Sequence, residues 1–159
     1  MIKTLSVEPL VCYSVHMDKP EKSVVTGVLV KNSEGKFLLV KKPDAVGPYA
    51  GMYLPPGGGV DPGERVDDAA LRELYEETGV KVTNLKRAYF DDDITENWAG
   101  EVKHLIGLLY TADYVSGDLR PTKGNDDTFD VVGWFSIKEM RSMPLSPPVK
   151  ELLALATSQ

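Results

Sequence analysis

Glu73, Glu76 and Glu77 are the residues whose type and spacing most directly suggest chemistry. At about 100° per residue, a helix through them gathers all three within an arc of roughly 100°. Like charges three and four apart repel by about 0.2–0.5 kcal/mol per pair. Glu76 and Glu77 also fall in the last turn of the helix expected over Asp67 to Thr78, where the dipole disfavours anions by ~0.3–1 kcal/mol. A solvated acidic face can carry both costs, and a bound divalent cation relieves both. Clustered carboxylate oxygens suit hard cations, Mg²⁺ or Mn²⁺, rather than metals that prefer thiolates. Magnesium is usually held by one or two carboxylates together with substrate phosphates.

The surrounding charge points the same way. From Gly58 to Val80, 23 residues hold seven acids against Arg65 and Arg72, nearly the whole net charge of −6. Just upstream runs Pro56-Gly57-Gly58-Gly59. Glycine tolerates close backbone approach and positive φ, so this loop's carbonyls can meet a metal and its amides a phosphate. A glycine loop that leads into a carboxylate-bearing helix is far more specific than either feature alone. Asp67 is the expected N-cap of that helix and Gly79 its stop. Leu71, Leu74 and Tyr75 read as its apolar stripe, with Ala70 at the boundary. Val66, Ala69 and Ala70 are expected to leave room above the carboxylates.

These residues need a scaffold. Leu10 to Val15 reads as a short strand. Ser23 to Val30 and Phe37 to Lys41 read as two more, joined by the turn-rich Asn32-Ser33-Glu34-Gly35. Pro43 to Gly59 is a long Pro/Gly loop, of a kind that is more often functional than idle. Val80 to Phe90, Val102 to Tyr114 and Phe129 to Phe135 read as strands, with Val131 and Trp134 buried. Ser136 and Glu139 form a capping box. Ser146 and Pro147 open a last helix through Thr157. Strands mixed with about three helices, two strands being paired by a short turn, give an α/β fold with a mixed sheet.

At 159 residues the chain is expected to form a single domain over 1–159. Met1 to Pro20 would be an N-terminal extension or extra strand, pairing with another subunit or capping a sheet edge. A hydrophobic share of 42% with 26% charged residues excludes a disordered chain. The lone Cys12 excludes an internal disulfide or a cysteine-rich zinc site, and suits the cytoplasm. The acidic balance argues against nucleic acid as a partner. No apolar run approaches the ~20 residues of a membrane helix, and no signal peptide is visible.

Gly58-Gly59-Val60-Asp61-Pro62-Gly63-Glu64, seven residues, and then Arg72-Glu73-Leu74-Tyr75-Glu76-Glu77-Thr78-Gly79-Val80 resemble a Nudix box. The family pattern is G-x5-E-x7-R-E-U-x-E-E-x-G-U, where U is bulky and apolar, and all nine specified positions match. Tyr53-Leu54-Pro55-Pro56-Gly57-Gly58 also resembles the family's lead-in. The resemblance implies a Nudix-like α/β/α sandwich around a mixed β-sheet. It implies Mg²⁺- or Mn²⁺-dependent cleavage of a nucleoside diphosphate linked to another group, by water attack on phosphorus. The substrate would be a nucleoside triphosphate, damaged ones included, or a sugar nucleotide such as ADP-ribose. Carried over by position, Glu73, Glu76 and Glu77 would hold metal, one of them serving as base, and Gly57 would offer its carbonyl. Arg72 would orient the glutamates, with Gly58 and Glu64 in support. The resemblance also allows a homodimer.

Many family members add a carboxylate from a later loop, a few residues before a strand that carries a tryptophan. Here that strand is Val131-Val132-Gly133-Trp134, and the aligned position falls on Thr128, with Asp126 and Asp127 adjacent as substitutes. Asp91-Asp92-Asp93 with Glu96 reads as a solvated loop, with cation binding as the alternative. Lys41, at a strand end facing the Pro/Gly loop, is a candidate phosphate contact, and Lys42 beside it shares that role. Trp98 is a candidate base-stacking residue, whereas Tyr53 and Phe90 read as core. His104 reads as structural. His16 carries no signal, and Cys12 lies outside the box. Three other functions remain open: a non-hydrolytic nucleotide sensor, an isomerase acting on a prenyl diphosphate, and an adaptor that uses the acidic helix as a partner surface. The intact glutamates weigh against the first two.

Overall fold

Val28, Leu29 and Val30 are consecutive, and each is 1% exposed or less. A strand can bury a continuous apolar run only when both faces of its sheet are covered. The structure, a computed structural model, describes residues 21–44, 48–96, 101–120 and 129–157, and it shows that cover on both sides. In chain order the elements are β1 (Glu21–Lys31), β2 (Phe37–Lys41), β3 (Tyr53–Leu54), α1 (Val66–Thr78), β4 (Lys81–Glu96), β5 (Val102–Ser116), β6 (Val131–Phe135), α2 (Ile137–Met140) and α3 (Pro147–Thr157).

Among the described residues the six strands form one mixed sheet, in the order β3-β2-β1-β5-β4 with β6 on β2. β1 and β5 run parallel, from Glu21 opposite Lys103 to Lys31 opposite Asp113, while the other pairings are antiparallel. Alternate side chains go to opposite faces. Val28, Val30, Leu38, Tyr110 and Ala112 meet Ala70 and Leu74 of α1 on one face. Leu29, Phe37, Leu39 and Leu109 meet Met140 of α2 and Val149 and Leu152 of α3 on the other. This is the expected α/β/α sandwich. No helix among the described residues is long and apolar enough to cross a membrane.

Several expectations are corrected. α1 rests on the sheet through Ala69, Ala70 and Leu74, whereas Leu71 and Tyr75 are 42% and 52% exposed. The small alanines bring the helix close to the sheet. Asp67 is not the N-cap. Arg65 holds that position without a side-chain cap, and Asp67 accepts from the Tyr110 hydroxyl at 2.6 Å and from Arg87 at 2.9 and 3.1 Å. The Arg87 guanidinium, with Tyr110, holds the Asp67 carboxyl below its ordinary value, and the cluster pins α1 to β4 and β5. β4 runs on to Glu96, so the Asp91–Asp93 run is strand and not loop. Val131 and Trp134 are half-buried rather than buried. The Pro/Gly loop contains the short strand β3.

The end signals hold better. Gly79 closes α1 in the left-handed region and donates to the Tyr75 carbonyl. Ser136 and Glu139 form both bonds of the capping box. Ser146 opens α3 as expected, yet its buried hydroxyl has no partner among the described residues. The two residues that follow are Pro147 and Pro148, which carry no N–H for it to accept.

Leu74→Ala is expected to lower the unfolding free energy by about 2–5 kcal/mol. Leu71→Ala, one residue type and three positions away, is expected to change it by about 0.5 kcal/mol or less. Chemical denaturation of the two variants measures both.

Candidate active site

Residues 56–60 lie along the edge of β1 that β2 leaves open. Val28 N–H donates to the Pro56 carbonyl at 2.8 Å, Thr26 N–H to the Gly58 carbonyl at 2.8 Å, and Val60 N–H to the Val24 carbonyl at 3.0 Å. A side chain on Gly57 would collide with the Thr26 carbonyl oxygen. On Gly58 a Cβ would sit 2.6 Å from the Glu73 carboxyl group. Gly57 is held to glycine by the backbone of β1, whereas at Gly58 the neighbour is the end of a flexible side chain that can yield.

The glutamates of α1 face this loop. Glu77 is 6% exposed and accepts the Gly57 N–H at 2.8 Å. Arg72 holds Glu64 in a two-pronged pair, with Nε and Nη2 each 2.8 Å from a carboxylate oxygen. Its Nη1 reaches Glu73 at 2.7 Å and Glu76 at 3.2 Å, and Nη2 also donates to the Gly59 carbonyl at 3.0 Å. Burial pushes the Glu73 carboxyl up, against the pull of Arg72. Hydrogen bonds from Arg72 draw the Glu64 carboxyl down to about 2. Thus Gly57, Gly58, Glu64, Arg72, Glu73, Glu76 and Glu77 are brought together as the sequence predicts.

Among the described residues no three His, Cys, Asp or Glu side chains form a ready-made metal cage. Two observations nevertheless fit a hard cation. Glu73 and Glu76 converge on one nitrogen of Arg72, so two carboxylates already face a common point of positive charge. The carbonyls of Pro56, Gly58 and Gly59 are each hydrogen-bonded, whereas that of Gly57 accepts from no described residue. Carboxylates and a bare carbonyl are the donors that magnesium or manganese takes.

On the α3 side of the sheet, a cleft of about 320 Å³ borders the glycine loop. Val25, Leu105 and Gly107 line its floor, Tyr49, Lys42 and Phe129 its sides, and Asp91, Asp93 and Lys103 its far end. Sequence reasoning missed Tyr49, whose hydroxyl donates to Asp93 at 2.8 Å. Burial and this acceptor push the Tyr49 hydroxyl well above its ordinary value. The aspartates were visible as a run but read as loop. The signal that could have placed them is the strand-forming sequence on both sides, Ala88-Tyr89-Phe90 and Ile94-Thr95.

Other candidates separate. Lys41 is drawn to Asp44 at 3.7 Å and Asp130 at 3.9 Å, and Lys42 lines the cleft instead. Tyr53 packs edge-on to Phe135 as expected of core, but Phe90 is 59% exposed and is not core. His104 pairs with Asp92 at 3.1 Å. Trp98, Asp126, Asp127, Thr128, His16, Cys12 and the segment Met1 to Pro20 lie outside the described residues.

A family model for the NUDIX domain matches residues 21–156. The chain belongs to the NUDIX hydrolases. It is 34% identical over 131 residues to the nucleoside triphosphatase NudI of Escherichia coli, covering 80% of this chain and 91% of NudI. It is 34% identical over 126 residues to the NAD-capped RNA hydrolase NudC of Chromobacterium violaceum, where it spans only 42% of the relative. Among solved structures, a MutT NUDIX hydrolase from Burkholderia pseudomallei superposes with a TM-score of 0.67 at 29% identity, over 87% of this chain and 99% of that one. The matched NUDIX domain spans both the glycine loop and α1.

In this NUDIX chain the Glu64–Arg72 pair has a pH signature. The Glu64 carboxyl falls from an ordinary 4.5 to about 2 on folding. A depressed folded value stabilises above the unfolded one, and that stability is lost as pH falls through the folded one. Glu64→Gln is therefore expected to melt lower than the wild type at pH 7, with the gap narrowing as pH drops from 4.5 towards 2. Melting curves across that range test it, and a gap independent of pH contradicts the ion pair.

Proposed function

We propose that this NUDIX chain is a divalent-cation-dependent hydrolase that cleaves a diphosphate linkage in a nucleoside diphosphate derivative, by water attack on phosphorus. The observation that carries the reading is the join between Gly57 and Glu77. It sets a loop with one uncommitted carbonyl against a helix whose glutamates converge. Glu73, Glu76 and Glu77, with the Gly57 carbonyl, would hold Mg²⁺ or Mn²⁺. When bound, the cation neutralises phosphate charge and lowers the pKa of the water it holds.

The chain's own residues do the positioning. Arg72 fixes Glu73 and Glu76 relative to Glu64 and to the Gly59 carbonyl. The glycine loop admits phosphate close to the backbone, and the bordering cleft takes the nucleoside end. The acidic site repels a polyphosphate unless cations come between them, so the dependence on metal follows from charge. The likeness to NudI supports a nucleoside triphosphate as substrate. We place the activity in the cytoplasm, where a lone cysteine stays reduced.

The test is phosphate release from a panel of nucleoside triphosphates and sugar nucleotides, with Mg²⁺, with Mn²⁺ and with chelator. Wild type is expected to turn over only with metal. Glu77→Gln keeps an acceptor for the Gly57 N–H and is expected to fold, while losing at least ~100-fold in rate. A rate unchanged in Glu77→Gln sinks the assignment of the glutamates. A folded wild type that binds nucleotides without turning any over transfers the reading to a nucleotide sensor.

A further inference from the structure

The far end of the cleft poses a separate electrostatic problem. Asp91 and Asp93 sit at alternate positions of β4, opposite Gly107 and Leu105 of β5, and so share one face of the sheet. Asp93 has a partner in the Tyr49 hydroxyl. Tyr49 itself stands at φ 60°, in the left-handed region that bulky residues avoid. Asp92, on the opposite face, has His104. Lys103, which lines the cleft, pairs with Glu21 at 3.2 Å.

Asp91 has no such relief. Among the described residues no cation pairs with it, and the charges that bear on it, Asp93, Asp92 and Glu151, are all negative. The backbone of Asp92 gives it a hydrogen bond, and burial pushes its carboxyl up. A half-buried carboxylate without a charged partner destabilises the fold, and when ionised it can only accept. The residue opposite it deepens the point. A Cβ on Gly107 would lie 3.7 Å from the Asp91 Cβ, an ordinary contact. Packing therefore does not demand glycine there. With glycine at 107, the cleft lining beside Asp91 carries no side chain at that position.

We propose that this cleft is a nucleobase subsite in which Asp91 accepts a hydrogen bond from an exocyclic amino group, so that amino-bearing bases are chosen over their carbonyl or unsubstituted counterparts. The proposal deepens the hydrolase reading and rests on it for the position of the phosphates. The cleft runs from the glycine loop to the aspartates, and like charge keeps phosphate away from the acidic end. Its volume, about 320 Å³, is at the small end of ligand clefts and suits one flat heterocycle over Val25, Leu105 and Gly107. Cytosine offers an amino group where uracil offers a carbonyl, whose lone pairs would face the carboxylate. Guanine offers a 2-amino group that hypoxanthine lacks.

The experiment compares CMP with UMP and GMP with IMP in binding titrations with chelator present, and the matching triphosphates in turnover with Mg²⁺. Wild type is expected to favour the amino-bearing member of each pair by about 10- to 100-fold, the range for a hydrogen bond to a charged group. Asp91→Asn puts an amide in the same place, which donates or accepts alike. In that variant the preference within each pair is expected to collapse. The variant should melt at or above the wild-type temperature, because it removes an unpaired charge. Gly107→Val, acceptable in a strand, should weaken all four monophosphates by filling the floor.

Preference unchanged in Asp91→Asn overturns the proposal, as does a wild-type preference for UMP and IMP. A selectivity that appears only with Mg²⁺ overturns it too, since a cation and not the carboxylate would then be reading the base. A marked fall in the Asp91→Asn melting temperature makes Asp91 structural and also overturns it. Turnover without base preference removes the subsite and leaves the hydrolase. Base-selective binding without turnover removes the hydrolase and leaves the subsite.

Discussion

The architecture depends on a backbone that passes where no side chain fits. At Gly57 the loop presses on the carbonyl of Thr26, a backbone atom that cannot yield, and at Gly58 it runs beside the carboxyl group of Glu73. The sheet fixes one contact and the helix the other. Any Cβ at Gly57 would lift the loop from β1 and break the bond from its N–H to the buried Glu77. That bond keeps a carboxylate within the interior of the protein, where an acid without donors would be costly. The glycine strip is thus the seam between two regions that the sheet would otherwise separate, the glutamates of α1 on one face and the cleft on the other.

Charge governs the rest of the site. Arg72 directs its five N–H donors into a single cluster, and Glu64, Glu73, Glu76 and the Gly59 carbonyl all take from it. This turns a mutual repulsion on one helix face into an ordered set. A single cation cannot neutralise it, because Asp61 stands near as well, 3.7 Å from Nη2. The arrangement is rigid in geometry and unbalanced in charge, and a polyanionic substrate makes sense against it only in company with cations.

How much of this the sequence disclosed varies with the reach of the forces involved. The box residues, the capping box at Ser136 and the αL stop at Gly79 depend on neighbours a few positions away, and they were legible. β2 and α3 were legible because their apolar pattern and end signals agree. The burial face of α1 was not. A helical wheel shows that Leu71, Leu74 and Tyr75 adjoin, but only the sheet decides whether they or Ala69, Ala70 and Leu74 face inward. Asp67 was misplaced for the same reason, since the Tyr110 hydroxyl and Arg87 that hold it are 43 and 20 positions away. The extent of β4 was missed because three consecutive charges imitate a loop, while pairing with β5 makes them strand.

That same run of aspartates carries two different arguments. Among the described residues β4 is the last strand of the sheet, and charged residues on an edge strand discourage pairing with another chain. Edge protection accounts for charge somewhere on the strand, and it is indifferent to which face or which register position carries it. Alternation has divided the run more finely. Asp92 goes to one face and finds His104, Asp93 goes to the other and finds Tyr49, and Asp91 goes with Asp93 and, among the described residues, pairs with no cation. An edge strand gains nothing from placing its least compensated acid inside a cleft, opposite a glycine that packing does not require. A ligand with an amino group gains an acceptor and the space to reach it. Recognition of a base accounts for an acceptor at Asp91 beside a glycine at 107, whereas edge protection is indifferent to both.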